Sequence, residues 1–440
     1  YAPMAWSAPE ARDFLQDTPV YERAGIIVRM VNLWKKTPPK LQVKVTADAS
    51  GSETTVHSSG LSVRRLLKFS VSATLGGKDL TPEELGELLS NGDGFKGEWV
   101  CVDARKVRDL MDRWTQAARM MSSLGIPLVQ GLRMLVNGPS GQLVQIPEPD
   151  EDCVMEPGQN LRQTLDILAG KVPVSIPELP SRLDALMRPY QKEGFSFLYR
   201  ITERGFGACL ADDMGLGKTL QAIAWLDALR RKGRLEGLPA LIVAPASLLS
   251  NWKEEAQRFA PELILRIMHP SSPAPWQPEN TLRRKDCHAV ITTYGMAART
   301  SALADLHFPA IILDEAQAIK NAGSARSRAI RSLHGERRIA LSGTPVENNL
   351  NELWSLMEFL NPGLLGSRKS FESFTRSLER GYAPLRRLVR PFILRRMKTD
   401  PALVPDLPDK MEIPAYCSLT PEQAALYQAQ IDMLHAVLDE

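Results

Sequence analysis

A chain of 440 residues exceeds the ~100–200 residues of a usual domain, so two or three domains are expected. Its 44% of hydrophobic residues can build ordinary cores, and a net charge of +3 leaves any affinity for nucleic acid to local patches. Five scattered cysteines with no Cys-x-x-Cys pair point to a reducing compartment and away from disulfides or zinc, the six isolated histidines suit no metal cluster, and the sequence holds neither a signal peptide nor an apolar run long enough for a membrane.

Residues 1–136 read as an α+β N-terminal accessory domain. LQVKVTAD (41–48) and LLKFSVSATL (66–75) alternate apolar and polar residues with the period of half-buried strands. Thr81 stands as an N-cap before Pro82, with acids in the first turn, and predicts a helix over 81–92. EWVCVDA (98–104) predicts a short strand and residues 105–121 a helix. The stretch 137–182 is rich in Pro, Gly and acids, which predicts an irregular connector with one short helix around Leu161–Leu168.

From 183 to 415 apolar runs alternate with helical patterns. The runs are Ala208–Ala211, Ala240–Ala244, Ala289–Thr293, Ala310–Leu313 and Arg338–Leu341, and their alternation implies βαβ units on a buried, mostly parallel sheet. The fold class is therefore α/β. After the first run comes DDMGLGKTLQ (212–221), a tight turn of Met214, Gly215, Leu216 and Gly217 opening an amphipathic helix at Lys218, Thr219 and Leu220. Backbone N–H groups in such a turn wrap phosphate oxygens. The two glycines allow close approach, Lys218 reaches the β- and γ-phosphates, and the Thr219 hydroxyl ligates Mg²⁺. Asp212 departs from the GxxxxGK[ST] pattern by standing where its first glycine belongs. The fourth run ends in Asp314 and Glu315, one carboxylate to hold the metal and one to orient the attacking water. The expected cofactors are ATP and Mg²⁺.

Further strings flank these two in a fixed order: RPYQKEGFSFLYR (188–200), LIVAPASLLSNWKEE (241–255), ITTYGM (291–296), ALSGTPVENNLNELWSLMEFLNPGLLG (340–366) and RPFILRRMKTD (390–400). Over roughly 183–425 the chain resembles the Swi/Snf-type ATPases, a branch of the superfamily-two helicases that moves along double-stranded DNA. The resemblance implies a first RecA-like P-loop lobe, with Lys218, Asp314 and Glu315 catalytic and Thr219 and Asp314 on the metal. It implies that Gln191 reads the adenine edge, framed by Arg188 and Tyr190, and that Gln317, Ser342, Gly343 and Thr344 couple hydrolysis to lobe motion. Gln317 stands where the family usually has His, so it can hydrogen-bond but not titrate. Pro245, Ala246, Ser247, Asn251 and Trp252, with Thr293 and Tyr294, resemble segments that meet the DNA backbone. Trp354 and Leu356 are expected in the core, and the basic run Arg386, Arg387, Arg390, Arg395, Arg396 and Lys398 is a solvated face or an approach to phosphates.

The function implied is an ATP-driven double-stranded-DNA translocase that remodels a protein–DNA complex of unstated identity. Residues 416–440 are expected to form a helix leading toward a second RecA-like lobe, so the chain is read as a fragment that binds ATP-Mg and hydrolyses it poorly alone. Two alternatives stand beside this: a single-strand DNA or RNA helicase, opposed by FILRRMKTD and SGTPVENN, and a nucleotide-sensing scaffold, opposed by the intact Lys218, Asp314 and Glu315. An Ala/Arg/Leu-rich composition hints at a bacterial source, hence a cytoplasmic, nucleoid-associated place. For residues 1–180 an internal brake on the ATPase is one expectation.

Overall fold

The computed structural model describes residues 8–27, 41–49, 67–76, 78–91, 94–95, 98–99, 104–123, 128–137, 153–270, 287–344, 349–376, 381–400 and 418–438. The expected strings at 138–152, 345–348 and 401–417 lie outside them. The chain divides into two compact units, 1–397 and 398–440.

The first unit opens with helix α1 (Ala8–Arg23) and a four-stranded sheet. Strands β1 (Leu41–Ala49) and β2 (Leu67–Leu75) pair antiparallel with Val45 opposite Val71, and the short β3 (Lys78–Asp79) extends the edge. Alternation sends Leu41, Val43, Val45 and Ala47 inward, as the period-two pattern requires. Helix α2 (Pro82–Asn91) begins with a reciprocal cap: Glu84 N–H donates to Thr81 Oγ1 (3.2 Å) and Thr81 N–H to the Glu84 carboxylate (3.0 Å). Of the strand expected over 98–104, Glu98–Trp99 is a strand, 100–103 lie outside the described residues, and 104 begins helix α3 (Ala104–Ser123). Helix α4 (Leu128–Asn137) follows.

The connector holds more order than its composition suggests. Residues Cys153–Pro157 form strand β4, parallel to β1, and Gln159–Leu168 form helix α5. Asp48 at the end of β1 accepts the Leu161 N–H (3.0 Å), which satisfies a donor that the helix start leaves open.

Helices α6 (Ser181–Leu186) and α7 (Pro189–Thr202) lead into the second sheet. Its seven strands are all parallel. In chain order they are β5 (Ala208–Leu210), β6 (Ala240–Ala244), β7 (Leu265–Met268), β8 (Ala289–Thr293), β9 (Ile311–Leu313), β10 (Arg338–Leu341) and β11 (Ile393–Leu394). Across the sheet they run β11-β5-β10-β9-β6-β8-β7. Residues of the central strands are buried on both faces, which is why they read as continuous apolar runs.

Helix α8 (Lys218–Arg231) corrects the amphipathic expectation, because every residue from Leu220 to Leu229 is buried. It lies against α7 and helix α9 (Leu249–Phe259), so its polar residues need internal partners. Asp227 pairs with Arg230 and Arg231, and the Trp225 indole N–H donates to Thr202 Oγ1 (3.0 Å). Trp354 and Leu356, on the helix Leu350–Leu360, are buried as expected.

Gly207, just before β5, is locked to the end of the helix Leu350–Leu360. Its N–H donates to Asn361 Oδ1 (2.9 Å), and Asn361 Nδ2 donates back to its carbonyl (3.1 Å). A Cβ at Gly207 would lie 2.4 Å from the Leu360 carbonyl oxygen, a backbone atom that cannot swing aside. Gly207→Ala is therefore expected to cost about 1–3 kcal/mol of stability by overpacking, read as a lowered urea midpoint.

The second unit carries the helix Pro421–Leu438, on which Leu426, Tyr427 and Met433 are exposed.

Candidate nucleotide-binding site

Parallel pairing brings the ends of β5, β6, β8, β9 and β10 to one edge of the sheet, where open α/β sheets hold ligands. The phosphate-loop candidate leaves β5 there. Gly215 (φ 83°) and Gly217 (φ 75°) adopt the left-handed turn that only glycine takes freely. A Cβ on Gly217 would also sit 2.4 Å from Gln191 Nε2. Lys218 is buried, and its ammonium donates to the carbonyls of Asp212 (2.7 Å) and Asp213 (3.3 Å), which holds it at the mouth of the loop. Met214 is exposed at the loop tip, while Leu216 and Leu220 are buried and anchor it.

Gln191 and its neighbours form the loop's flank. The Arg188 N–H donates to Gln191 Oε1 (2.9 Å), and Gln191 Nε2 donates to the Leu216 carbonyl (3.2 Å). The residue expected to read a base is thus fixed to the phosphate loop itself. Tyr190 is buried beneath it. Cys209, in β5 under the loop, is inert: burial pushes its thiol up to about 12.

The acidic pair follows β9. Asp314 is buried, with its N–H on the Val243 carbonyl (2.8 Å). Burial holds its carboxyl above the usual carboxylate range, the Trp252 hydrogen bond opposing this and the Glu315 charge adding to it. Glu315 is the single non-glycine residue at positive φ (51°) among the described residues. Such a backbone is costly for a residue with a Cβ and occurs where a side chain must be aimed. Gln317 Nε2 donates to Glu315 Oε2 (2.6 Å), and the Ser342 hydroxyl donates to Gln317 Oε1 (2.9 Å). Ser342 Oγ also accepts the Thr344 N–H (3.1 Å), and Gly343 packs against Met214 of the phosphate loop. β10 lies between β5 and β9, so this chain of bonds spans from one acidic side chain to the loop after the intervening strand.

Two residues expected at the DNA backbone lie elsewhere. Trp252 is fully buried, and its indole N–H donates to Asp314 Oδ2 (2.7 Å). Tyr294 is buried on helix α10 (Tyr294–Arg299), with its hydroxyl on the Asp314 carbonyl (2.8 Å). Burial and the adjacent Asp314 charge hold that hydroxyl well above its ordinary range, so it stays a donor. Both aromatics brace the acidic strand end from within. Thr293 caps α10 by accepting the Met296 N–H (3.2 Å). Ala246, Ser247 and Asn251 are exposed and Pro245 is half-buried.

The basic run also splits. Arg386, Arg387, Arg390 and Arg395 are exposed, but Arg396 is buried against Asp212. The sequence signal for that pairing was the aspartate in a glycine's place. Thr219 and Asp314 supply oxygen donors of the type Mg²⁺ takes, and one or two such ligands plus phosphate oxygens suffice for it. Among the described residues there is no group of three or more His, Cys, Asp or Glu that could hold a metal ion.

A seven-stranded parallel sheet with this loop, acidic pair and intervening serine defines a RecA-like P-loop lobe. Residues 190–439, more than half of the chain, match the SNF2-related domain, and the chain belongs to that family of Swi/Snf-type, superfamily-two ATPases. Residues 1–136 match a second family, described as SNF2 Helicase protein. A protein of Bacillus subtilis (strain 168) named as an ATP-dependent helicase/translocase, YwqA, is 36% identical over 424 residues, covering 92% of this chain and 44% of that protein. The chromatin-remodeling ATPase INO80 of Vanderwaltozyma polyspora is 39% identical over 272 residues, covering 57% of this chain and 17% of that one. The solved Sulfolobus solfataricus SWI2/SNF2 ATPase core in complex with dsDNA is 42% identical, with TM-score 0.48, over 60% of this chain and 56% of that chain. The chain spans less than half the length of these two sequence relatives.

Proposed function

We propose that residues 183–415 are the first ATPase lobe of a double-stranded-DNA translocase that remodels protein–DNA complexes, with residues 1–136 as an accessory module. The observation that carries this reading is the bonded series Glu315–Gln317–Ser342 beside the phosphate loop. A lobe that only sensed nucleotide would have no use for a carboxylate aimed by a left-handed backbone and tied to the neighbouring strand.

In this reading the loop amides and Lys218 hold the phosphates, and Gln191, set against the loop, faces the base. Thr219 and Asp314 hold Mg²⁺, which when bound neutralises charge on the transferring phosphoryl group. Glu315 orients the attacking water and takes its proton. Ser342 and Gln317 carry a change at Glu315 to the rest of the lobe. The exposed Ala246, Ser247 and Asn251 offer small polar and backbone groups to DNA phosphates.

ATPase activity of the full-length protein, measured with no nucleic acid, duplex DNA, single-stranded DNA and RNA, tests this reading against Lys218→Ala. Stimulation mainly by duplex, lost in the variant, supports it. Stimulation by single strands favours a helicase, and no turnover at all favours a scaffold. The 440 residues alone are expected to bind nucleotide and hydrolyse it slowly, because Arg396, the arginine tied into the start of the loop, is committed to Asp212 and not to a phosphoryl group. An arginine supplied to the phosphoryl group is worth about 10³–10⁵ in rate. Brisk duplex-stimulated turnover by these residues alone would count against that.

Trp252→Phe keeps an aromatic ring, smaller than the indole, and deletes the donor to Asp314. It is expected to weaken apparent Mg²⁺ affinity about 10–100-fold, the usual scale for a group that orients a metal ligand. A Mg²⁺ titration of ATP turnover reads it directly.

A further inference from the structure

Beneath the phosphate loop lies a buried polar cluster that the proposed chemistry leaves unused. Asp212 is wholly buried where the loop leaves β5. Its carboxylate accepts Arg396 Nε–H (2.9 Å) on one oxygen and an Arg396 Nη–H on the other. The same guanidinium donates to Gln221 Oε1 (2.9 Å) and to the Tyr190 carbonyl, and it lies 5.3 Å from the Tyr190 ring centroid. Gln221 in turn donates to the carbonyls of Leu216 (3.3 Å) and Gly217 (3.2 Å), the two residues before Lys218. The backbone repeats the attachment, since Asp213 N–H donates to the Arg396 carbonyl (3.0 Å) and Ala211 N–H to the Leu394 carbonyl (2.7 Å). Gly194 leaves the space: a Cβ there would lie 1.7 Å from Gln221 Oε1 and 2.7 Å from Arg396 Nη2.

We infer that Arg396 is a positioning residue for nucleotide binding, a clasp that sets the phosphate loop and cancels the charge of Asp212. A nucleoside triphosphate brings several negative charges to a loop whose first residue is a buried carboxylate. Unpaired, that carboxylate would repel them in a medium that screens poorly. The bidentate pair removes the repulsion and fixes the loop's entry, while Gln221 fixes its exit. The arrangement also makes the loop respond to the backbone at 393–397. Withdrawing Arg396 would uncover the Asp212 charge and remove the bond that orients the Gln221 carboxamide, so strand β11 and the residues after it can lower nucleotide affinity without touching the nucleotide.

The inference rests on nucleotide binding at this loop, and one experiment separates the two. A fluorescent ATP analogue with Mg²⁺ is titrated into wild type, Lys218→Ala, Arg396→Met, Asp212→Asn and the double variant Asp212→Asn/Arg396→Met, with a thermal melt for each. Arg396→Met and Asp212→Asn both remove the ion pair but leave charges of opposite sign; Arg396→Met also removes the bonds to Gln221 and the Tyr190 carbonyl, so the double variant, which lacks those bonds too, isolates the effect of the charge. The expected result is that Arg396→Met binds roughly tenfold or more weaker than Asp212→Asn, the scale of one uncompensated charge near the ligand. The double variant should recover most of that loss. Equal loss in both single variants, or no recovery in the double, would reduce the pair to a structural brace and overturn the inference. Failure of wild type to bind would instead overturn the nucleotide reading, and the inference with it.

Discussion

Glu315→Gln is expected to lower the hydrolytic rate by about 10²–10⁴, the contribution of a positioned proton acceptor, while nucleotide affinity stays close to wild type. The substitution is nearly isosteric. The amide oxygen can still accept the Gln317 Nε2–H bond that now reaches the carboxylate at 2.6 Å. The left-handed backbone at φ 51° and the Asp314 Oδ1 bond to the residue-315 N–H (2.9 Å) do not depend on the side-chain charge. What is lost is the ability to take a proton from water. Single-turnover hydrolysis and binding of a fluorescent nucleotide, measured on the same full-length variant, separate the two steps. A fall of less than tenfold would mean that another group orients the water. A parallel loss of binding would mean that Glu315 shapes the pocket and does no proton chemistry. Lys218→Ala differs in kind, since it is expected to lose binding itself.

The sheet and the loop were legible because each is written locally. A parallel strand buried on both faces must be a continuous apolar run, and the five expected runs are strands in the structure within a residue at each end. The Thr81 cap lies within four residues of its partner, so the sequence alone locates it. Other features depend on partners far along the chain. Arg396 sits 184 residues from Asp212, and nothing in a basic run says which arginine will turn inward. Trp252 and Tyr294 each combine an apolar body with one donor, so they suit a DNA surface or a buried bond equally well. Only the fold, which sets them under Asp314, decides between the two. Strand β4 was hidden because its neighbours are turn formers and its partner, β1, lies more than a hundred residues earlier. Helix α8 has a polar side by composition and no exposed side by packing, since its Gln221 and Asp227 are satisfied internally.

Removing residues 1–180 is expected to destabilise the protein and not to release a faster ATPase. A brake, the reading that sequence allows, would have to lift off the lobe it restrains. The two parts instead share one continuous buried cluster, which runs from Val43, Val45 and Leu67 of the first sheet through Trp114 and Leu132 to Phe195 and Leu198 of α7 and Leu385 of the helix Ala383–Val389. Helix α4 packs on the helix Ala383–Val389 and α5 packs on α7, the helix that carries Gln191. Arg133 of α4 lies so close over Gly366 that a Cβ there would sit 2.0 Å from its guanidinium. Burying one large apolar side chain is worth ~1.5–3 kcal/mol. Uncovering even four would rival the 5–15 kcal/mol that holds a typical domain folded. Thermal melts and basal ATPase rates of the full-length protein with and without residues 1–180 decide the matter. A lowered midpoint with falling activity is the expected result. A truncated protein that melted like the intact one and hydrolysed ATP faster would show that the module can be lifted away, and the brake would then stand.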